Sequence, residues 1–449
     1  MTGQVKLLTA LTTLVRSAGA DGVSACAHAK TRRVFRFAFG AIHQDLVQES
    51  VTVTVKVIRD RRVGVASTDT LSADGLKRCV TAAGEIARHS PAQQGLPELP
   101  RRHRVTASGD YVASTARLSA SAAVSRLKRL FQFSRGAGAE LAGSFITGED
   151  EFAVANSSEV ACYSASTVSG AKFVTMYRDL SGYASGVHRD IECLNEEALL
   201  KRSLTQSLHR REPVTVPLGA YEVILEPEAV AELVTWLGYT AFGAKSVEER
   251  TSFLAGRLGE RVFAPSITIT DDGRDPATLR LPFDFEGSPR RKVTLIDRGK
   301  AAGIVYDAAY GTRFHQPSTG HAMPPDETEG PLPLHLLMAP GQSSLPEMIR
   351  SCRRGLLIPR FHYVNGLLNP REALMTGLTR EGTFLIERGR LVAPVKTLRF
   401  TQSLLDAFSR VRNVSKERRL VADPSQELGC AVMPALHLAT FTFTGRSEA

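Results

Sequence analysis

Residues 219–250, GAYEVILEPEAVAELVTWLGYTAFGAKSVEER, constrain this chain more than any other stretch. Residues 221–225 are short and β-rich, and they run directly into Pro227. Proline suits the first turn of a helix, because its missing N–H would have no intrahelical partner there. Val230, Leu233, Val234, Leu237 and Ala241 then recur at three- and four-residue steps. That spacing predicts a helix to about Phe242 with one apolar face packed on a core. Thr235, Trp236, Tyr239 and Thr240 fall largely on other faces.

At 449 residues the chain exceeds one compact core, so two or three domains are expected. With 43% apolar and 23% charged residues it reads as a soluble globular chain. The N-terminal region reads as α+β. Leu7, Leu8, Leu11, Leu14 and Val15 lie at helical spacing, and this favours an ordinary first helix over a secretion signal. Strands are expected at 34–39 and 51–58, the second alternating as VTVTVKVI and returning through a turn at 59–62 to a strand at 63–67. Ser72 caps a helix to about Arg88 whose inner side carries Leu76, Val80 and Ile86. The Pro-rich segment 91–100 is a linker.

A second unit begins near Val105. It has a helix at 118–133, striped by Val124, Leu127, Leu130 and Phe131. Short strands at 143–147, 152–156, 159–164 and 172–177 then suggest an antiparallel meander. Asn195 opens the next helix. From Val214 the sequence is mostly strands and turns. Two hairpins are expected, around Arg298-Gly299 and Arg388-Gly389, where glycine after a polar residue suits a tight turn. Segment 315–333 is a Pro/Gly-rich connection. The expected organisation is α+β throughout, with an N-terminal α+β domain at 1–105, a helix-plus-meander domain at 106–212 and a β-rich, mostly antiparallel C-terminal domain at 213–449.

The formal net charge is +10, but the basic residues come as scattered pairs such as Arg32-Arg33, Arg210-Arg211 and Arg353-Arg354. A nucleic-acid binder concentrates its charge, so no nucleic-acid partner is expected. Six cysteines lie far apart with no C-x-x-C pair, and a reduced, cytoplasmic chain is the plain reading. No stretch approaches the apolar length of a membrane span, and no membrane partner is expected.

Candidate chemistry is sparse. None of the eleven histidines pairs at i, i+4 beside a glutamate, and His315 and His321 read as polar-loop residues. Ser318-Thr319-Gly320-His321 puts hydroxyls beside an imidazole, but adjacent residues rarely face one another and no G-x-S-x-G context surrounds them. Asp271-Asp272 and Asp284/Glu286 follow strands and precede glycine, so turn formation explains them. Trp236, the one tryptophan, reads as a packing or interface anchor. No catalytic residue and no metal site emerge from the residues themselves.

A set of ordered pieces nevertheless resembles the TldD/PmbA family. They are YEVILEP with its helix, ITITDDG at 267–273, FDFEGSPR at 283–290, STGHA at 318–322, MAPG at 338–341, RGLLI at 354–358, Thr376-Gly377 and GTFLIERGRLVAPV at 382–395. With weaker matches upstream they cover roughly residues 35 to 447. In that family the peptidase subunit carries a zinc-binding His-Glu-x-x-x-His on this helix, and its TldE/PmbA-like partner lacks it. Aligned without gaps, those positions fall on Thr235, Trp236 and Thr240; a shift by one gives Val234, Thr235 and Tyr239. None supplies the imidazoles and base that zinc hydrolysis requires. The family's C-terminal cysteine is not carried over to Cys430.

The resemblance therefore implies a non-catalytic, TldE/PmbA-like subunit without a cofactor of its own. It would pair with a TldD-like zinc peptidase, act with it on unfolded or modified peptides, and form a homodimer in its absence. Trp236, Tyr239, His321, His362, Tyr363, Thr379 and Arg380 are the expected groove or interface residues. The alternative is a self-sufficient hydrolase or peptide-tailoring enzyme with a different active site.

Overall fold

The computed structural model describes residues 2–103, 110–424 and 429–446. Its N-terminal part begins with α1 (Gln4–Ser17), β1 (Gly22–Ala38), β2 (Ala41–Arg59), β3 (Arg62–Thr68) and α2 (Ala73–His89). There follow α3 (Ala113–Ala116), α4 (Ala120–Gly136), β4 (Glu140–Asn156), β5 (Ala161–Tyr177), β6 (Leu180–His188) and α5 (Glu196–Ser207). The six strands form one antiparallel sheet in the order β3-β2-β1-β4-β5-β6. The two expected N-terminal units thus contribute three strands each to a single sheet; their expected boundary near Val105 lies outside the described residues. Helices α1 and α2 cover Val23, Ala25, Val53, Val55 and Val57, while α4 and α5 cover Phe35, Phe37, Phe145 and Phe173.

Local signals explain much of this. Asp60 and Arg61 have φ of 49° and 58°, the pair of positive values that a two-residue hairpin turn uses. Ser72 and Asn195 cap their helices by accepting the N–H of Gly75 at 3.2 Å and of Ala198 at 2.9 Å. On α2 the buried side is Leu76, Cys79, Ala83 and Ala87, whereas Ile86 is exposed, so the helix is rotated from the expected orientation to seat small side chains on β3. Gly64 explains why: a Cβ there would lie 2.0 Å from the Ala83 carbonyl oxygen, so strand and helix touch backbone to backbone.

The C-terminal part runs β7 (Gly219–Leu225), α6 (Pro227–Ala241), α7 (Ala244–Glu248), β8 (Ile269–Asp271), β9 (Val293–Asp297), β10 (Lys300–Ala301), α8 (Ala308–Arg313) and β11 (His335–Met338). It continues through α9 (Leu345–Ser351), β12 (Arg354–Ile358), β13 (Phe361–Asn369), β14 (Leu374–Thr379), β15 (Phe384–Glu387) and β16 (Arg390–Pro394). The chain closes with β17 (Leu398–Ser403), α10 (Leu404–Ser409), β18 (Val411–Val421) and β19 (Cys430–Arg446). These strands make one sheet organised on β19, which pairs with β7, β11, β17 and β18. Pairing is antiparallel except for β11 with β19 and β7 with β12.

Helix α6 lies on this sheet as its spacing predicts, with Val230, Leu233, Val234, Leu237 and Ala241 all 0% exposed. Both expected hairpin turns form, with positive φ at Arg298-Gly299 and Arg388-Gly389. The return arm after Arg298-Gly299 is only β10, because Val305 leaves it to bridge Gly243.

The two parts meet through an apolar cluster of Cys26, Phe152, Val154, Val160 and Cys162 against Leu281, Phe283 and Phe285. Polar links reinforce it. Lys56 Nζ lies 3.2 Å from Glu286 Oε1, and Arg32 Nε donates to the Pro424 carbonyl at 3.0 Å.

Candidate functional site

Where α6 faces the N-terminal sheet, a cleft of about 350 Å³ opens. Glu228, Ala231, Glu232 and Thr235 line one wall at the i, i+3, i+4, i+7 spacing of a single helical face. Tyr183 and Ser185 of β6, His362 and Tyr363 of β13, and Cys430 of β19 supply the other walls.

The charges in the cleft are largely committed. At the start of α6, Glu226 and Glu228 bind Arg202 at 2.7 and 2.6 Å and Arg419 at 2.9 and 2.9 Å. Burial works to raise the Glu228 carboxyl, but Arg419 and Arg202 hold it below its ordinary value, so it is a paired anion rather than a base. Arg360 is fixed by Glu381 at 2.5 Å and stacks 4.0 Å from the Tyr183 ring centroid. Lys172 pairs with Asp423.

Glu232 reaches solvent, yet its carboxyl lies above the ordinary value because surrounding protein removes part of its hydration. The Cys430 thiol is pushed up to about 12 by burial and is therefore protonated at neutral pH. It accepts the Leu279 N–H at 3.3 Å. Burial, then Arg360 and Arg380, lower His362, which leaves it neutral.

The residues singled out from sequence separate into groups. Thr235, His362 and Tyr363 line the cleft, and Tyr363, 78% exposed, has a left-handed φ of 49°. Trp236 and Tyr239 follow Glu232 and Thr235 by one turn of α6, beyond the residues that line the cleft, with ring centroids 6.0 Å apart. Trp236 sits against Gly366 of β13, where a Cβ would come within 2.7 Å of the indole. Thr240 is buried and donates to the Trp236 carbonyl at 2.8 Å. Thr379 is buried and accepts the Leu398 N–H at 3.0 Å. Arg380 borders a neighbouring depression with Asp179, Thr215 and Lys396.

His321 differs most from its expected place in a polar loop. It is 0% exposed, and its Nε2 lies 2.7 Å from Asp271 Oδ1. His335 and Arg290 join this buried group. Burial works to raise Asp271, but His321, His335 and Arg290 hold its carboxyl well below the ordinary range. Burial, then Arg290, lowers His335 to about 4. The Arg290 guanidinium, 0% exposed, lies 3.9 Å from Asp271, and none of its nitrogens has a hydrogen-bond partner among the described residues. Sequence reading missed this network. Asp272 does serve the expected turn, accepting the Arg274 N–H at 3.0 Å, while its neighbour Asp271 turns inward.

Two family models match the chain: the PmbA/TldA metallopeptidase C-terminal domain over residues 218–445, and domain 1 of the same family over residues 32–87. The chain belongs to the TldD/PmbA metallopeptidase family. A crystal structure of TldE from Thermococcus kodakarensis shares the fold, with a TM-score of 0.86 at 20% identity, covering 97% of this chain and 100% of that one. A metalloprotease TldD homolog of Haemophilus influenzae is 26% identical over 224 residues, 49% of this chain and 46% of that protein. An uncharacterized protein of Methanocaldococcus jannaschii is 35% identical over 101 residues, 22% of this chain and 24% of that protein. These matches thus span less than half the length of either relative.

The zinc of TldD/PmbA peptidases does not fit α6 of this family member. Its aligned positions present the Thr235 hydroxyl, an indole turned under Gly366, and a Thr240 hydroxyl bonded to its own helix. Shifted by one, they present Val234, buried in the core, with Thr235 and the phenol of Tyr239. Among the described residues no helix is long and apolar enough to cross a membrane.

Proposed function

We propose that this chain is the non-catalytic, TldE/PmbA-like subunit of a heteromeric zinc metallopeptidase that acts on unfolded or modified peptides. One observation carries the reading. A cleft lies beside α6, but the helix wall that faces it offers Glu228 already bound by two arginines, together with Ala231, Glu232 and Thr235, and no imidazole to hold a metal. Such a wall can bound a chamber; it holds no metal that would activate water, and a single Glu232 carboxylate does not replace one.

The catalytic zinc then belongs to a TldD-like partner, and this chain closes part of the space around it. Peptide would be held as an extended strand, where backbone hydrogen bonds supply affinity with little sequence selectivity. Trp236 and Tyr239, one turn of α6 beyond the cleft lining, suit the contact with the partner or, in its absence, with a second copy. Six free cysteines suit the reducing cytoplasm in which we place the complex.

The decisive measurement compares cleavage of an unfolded peptide by this chain, by its TldD-like partner and by the mixture. We expect no cleavage by this chain alone, and cleavage by the mixture that chelator abolishes and exceeds that of the partner. A partner as fast alone as in the mixture overturns the supporting role. Turnover by this chain alone in chelator shows a self-sufficient enzyme instead.

A further inference from the structure

On the face of the C-terminal sheet opposite α6, three metal-ligating side chains converge: Glu222 of β7, Cys352 at the end of α9 and His437 of β19. A carboxylate oxygen, Sγ and a ring nitrogen all lie within 4.8 Å of one another. Strand alternation places them. Val223 and Leu225 point to the α6 core, so Glu222 and Ile224 point to the other side; on β19, Leu436 and Leu438 join the α6 core, while Ala435 and His437 point away. Cys352 is 0% and His437 1% exposed, whereas the Glu222 side chain is 13% exposed, which leaves the group open on the carboxylate side.

Gly355 of β12 makes room for this arrangement. It pairs with Glu222, and a Cβ there would lie 2.7 Å from Cys352 Sγ. Glycine is thus what lets the sulfur settle over the sheet.

We propose that Glu222, Cys352 and His437 bind one divalent cation of the zinc class through a carboxylate oxygen, Sγ and Nε2, with water as the fourth ligand. The donor set selects the metal. Thiolate and imidazole suit a borderline-soft ion, and magnesium or calcium would take oxygen ligands alone. Three protein ligands complete all but one corner of a tetrahedron.

As it stands, His437 Nε2 and Glu222 Oε1 are hydrogen-bonded at 2.6 Å. Zinc bonds of about 2.0–2.2 Å to each would set those atoms roughly 3.4 Å apart, so the carboxylate backs off by less than an ångström. Arg412, half exposed and 2.8 Å from Glu222 Oε1, is free to follow it. Protons balance as well. Burial first, and then the Glu222 charge, push the Cys352 thiol up to about 12. Binding expels that one proton to solvent. The imidazole proton moves from Nε2 to Nδ1, where Asn413, its Nδ2 now 3.4 Å away, accepts it once its amide turns its oxygen inward.

With one proton released per ion, apparent affinity falls about tenfold for each unit that pH drops. The ion would tie α9 to β7 and β19. Through the Cys352 carbonyl, which accepts the Gly389 N–H at 3.0 Å, it would also steady the turn between β15 and β16. This site is discontinuous in sequence and lies across the sheet from Thr235, Trp236 and Thr240, so it does not restore a peptidase centre.

The test takes the full chain, stripped with chelator and dialysed against zinc alone. We expect one zinc per chain, bound at least tenfold more weakly by Cys352→Ser and by His437→Gln, and unchanged in Cys193→Ser, whose thiol is exposed elsewhere. Should the buried variants fail to fold, cobalt(II) bound to the unaltered chain must show a thiolate charge-transfer band and tetrahedral intensity. No uptake of zinc, cobalt bound without that band, or zinc held equally by folded Cys352→Ser and His437→Gln overturns the proposal.

Discussion

Leu233 and Thr235 stand two residues apart on α6 and have opposite surroundings. Leu233 and Leu237 are 0% exposed within the main core, whereas Thr235 opens on the cleft. Truncating either leucine leaves a cavity among side chains that cannot fully collapse, so Leu233→Ala or Leu237→Ala should cost about 2–5 kcal/mol in a denaturant titration. Thr235→Ala should fall within about 0.5 kcal/mol of the parent. A threonine change as costly as the leucine changes would mean that Thr235 supports the helix rather than bounding a cleft. The stripe was legible because helical spacing is a local property. The His321–Asp271 pair was not, since its members are 50 residues apart and each sits in a segment that reads as a turn. The same holds for Glu222, Cys352 and His437, which the pairing of β7 with β19 and the packing of the end of α9 on that sheet bring together.

Among the elements, β4 shows how tertiary contacts extend what local propensity suggests. Residues 148–151, Gly-Glu-Asp-Glu, read as a break between two short strands, yet β4 runs unbroken from Glu140 to Asn156 because β1 and β5 pair with it on both sides. The same cause joins the two strands expected at 159–164 and 172–177 into β5, and extends β1 back to Gly22 across SACAHAKTRR, a run poor in β-branched residues. Asp150 is tolerated inside the strand because it is held from two directions. Arg32 Nη2 donates to its two oxygens at 2.9 and 2.7 Å, and His28 Nε2 lies 2.9 Å away. Burial works to raise this carboxyl, but His28 and Arg32 together bring it below its ordinary value. Asp150→Ala would leave the buried Arg32 charge without its counter-ion, though still bonded to backbone carbonyls, and should cost about 3–5 kcal/mol at neutral pH. A depressed carboxyl contributes stability above its unfolded value of about 3.9 and loses it as pH falls through the lower folded value. The deficit of Asp150→Ala against the parent should therefore narrow in strong acid, and a deficit independent of pH would show that packing rather than charge sets the cost.

Across the whole molecule, the joint between the two parts carries ionisable groups that oppose each other. Asp284, 1% exposed beside the Phe283 and Phe285 contacts, accepts the N–H groups of Glu286, Ser288 and Ala322 at 3.0, 2.8 and 2.9 Å. Burial, and then the Glu286 charge, still raise it to about 7. The folded chain thus keeps a proton that the unfolded carboxyl releases at about 3.9, so this contribution is full below about 3.9 and is lost as pH rises to about 7. His335, lowered to about 4, works the other way: its neutral form is favoured on folding, and its contribution is lost as pH falls from about 6.5 to about 4. Between those limits the two slopes offset one another. Asp284→Asn removes one of them. It should lower the whole stability curve, because an amide NH₂ cannot accept the Ala322 N–H, and it should also tilt the curve. Relative to the parent, its stability should improve as pH rises from about 4 to about 7, by at most about 1.4 kcal/mol per unit. Urea midpoints taken at intervals across that range read the slope separately from the offset. Parallel curves would mean that Asp284 is ionised throughout, with the turn amides and Arg290 outweighing its burial.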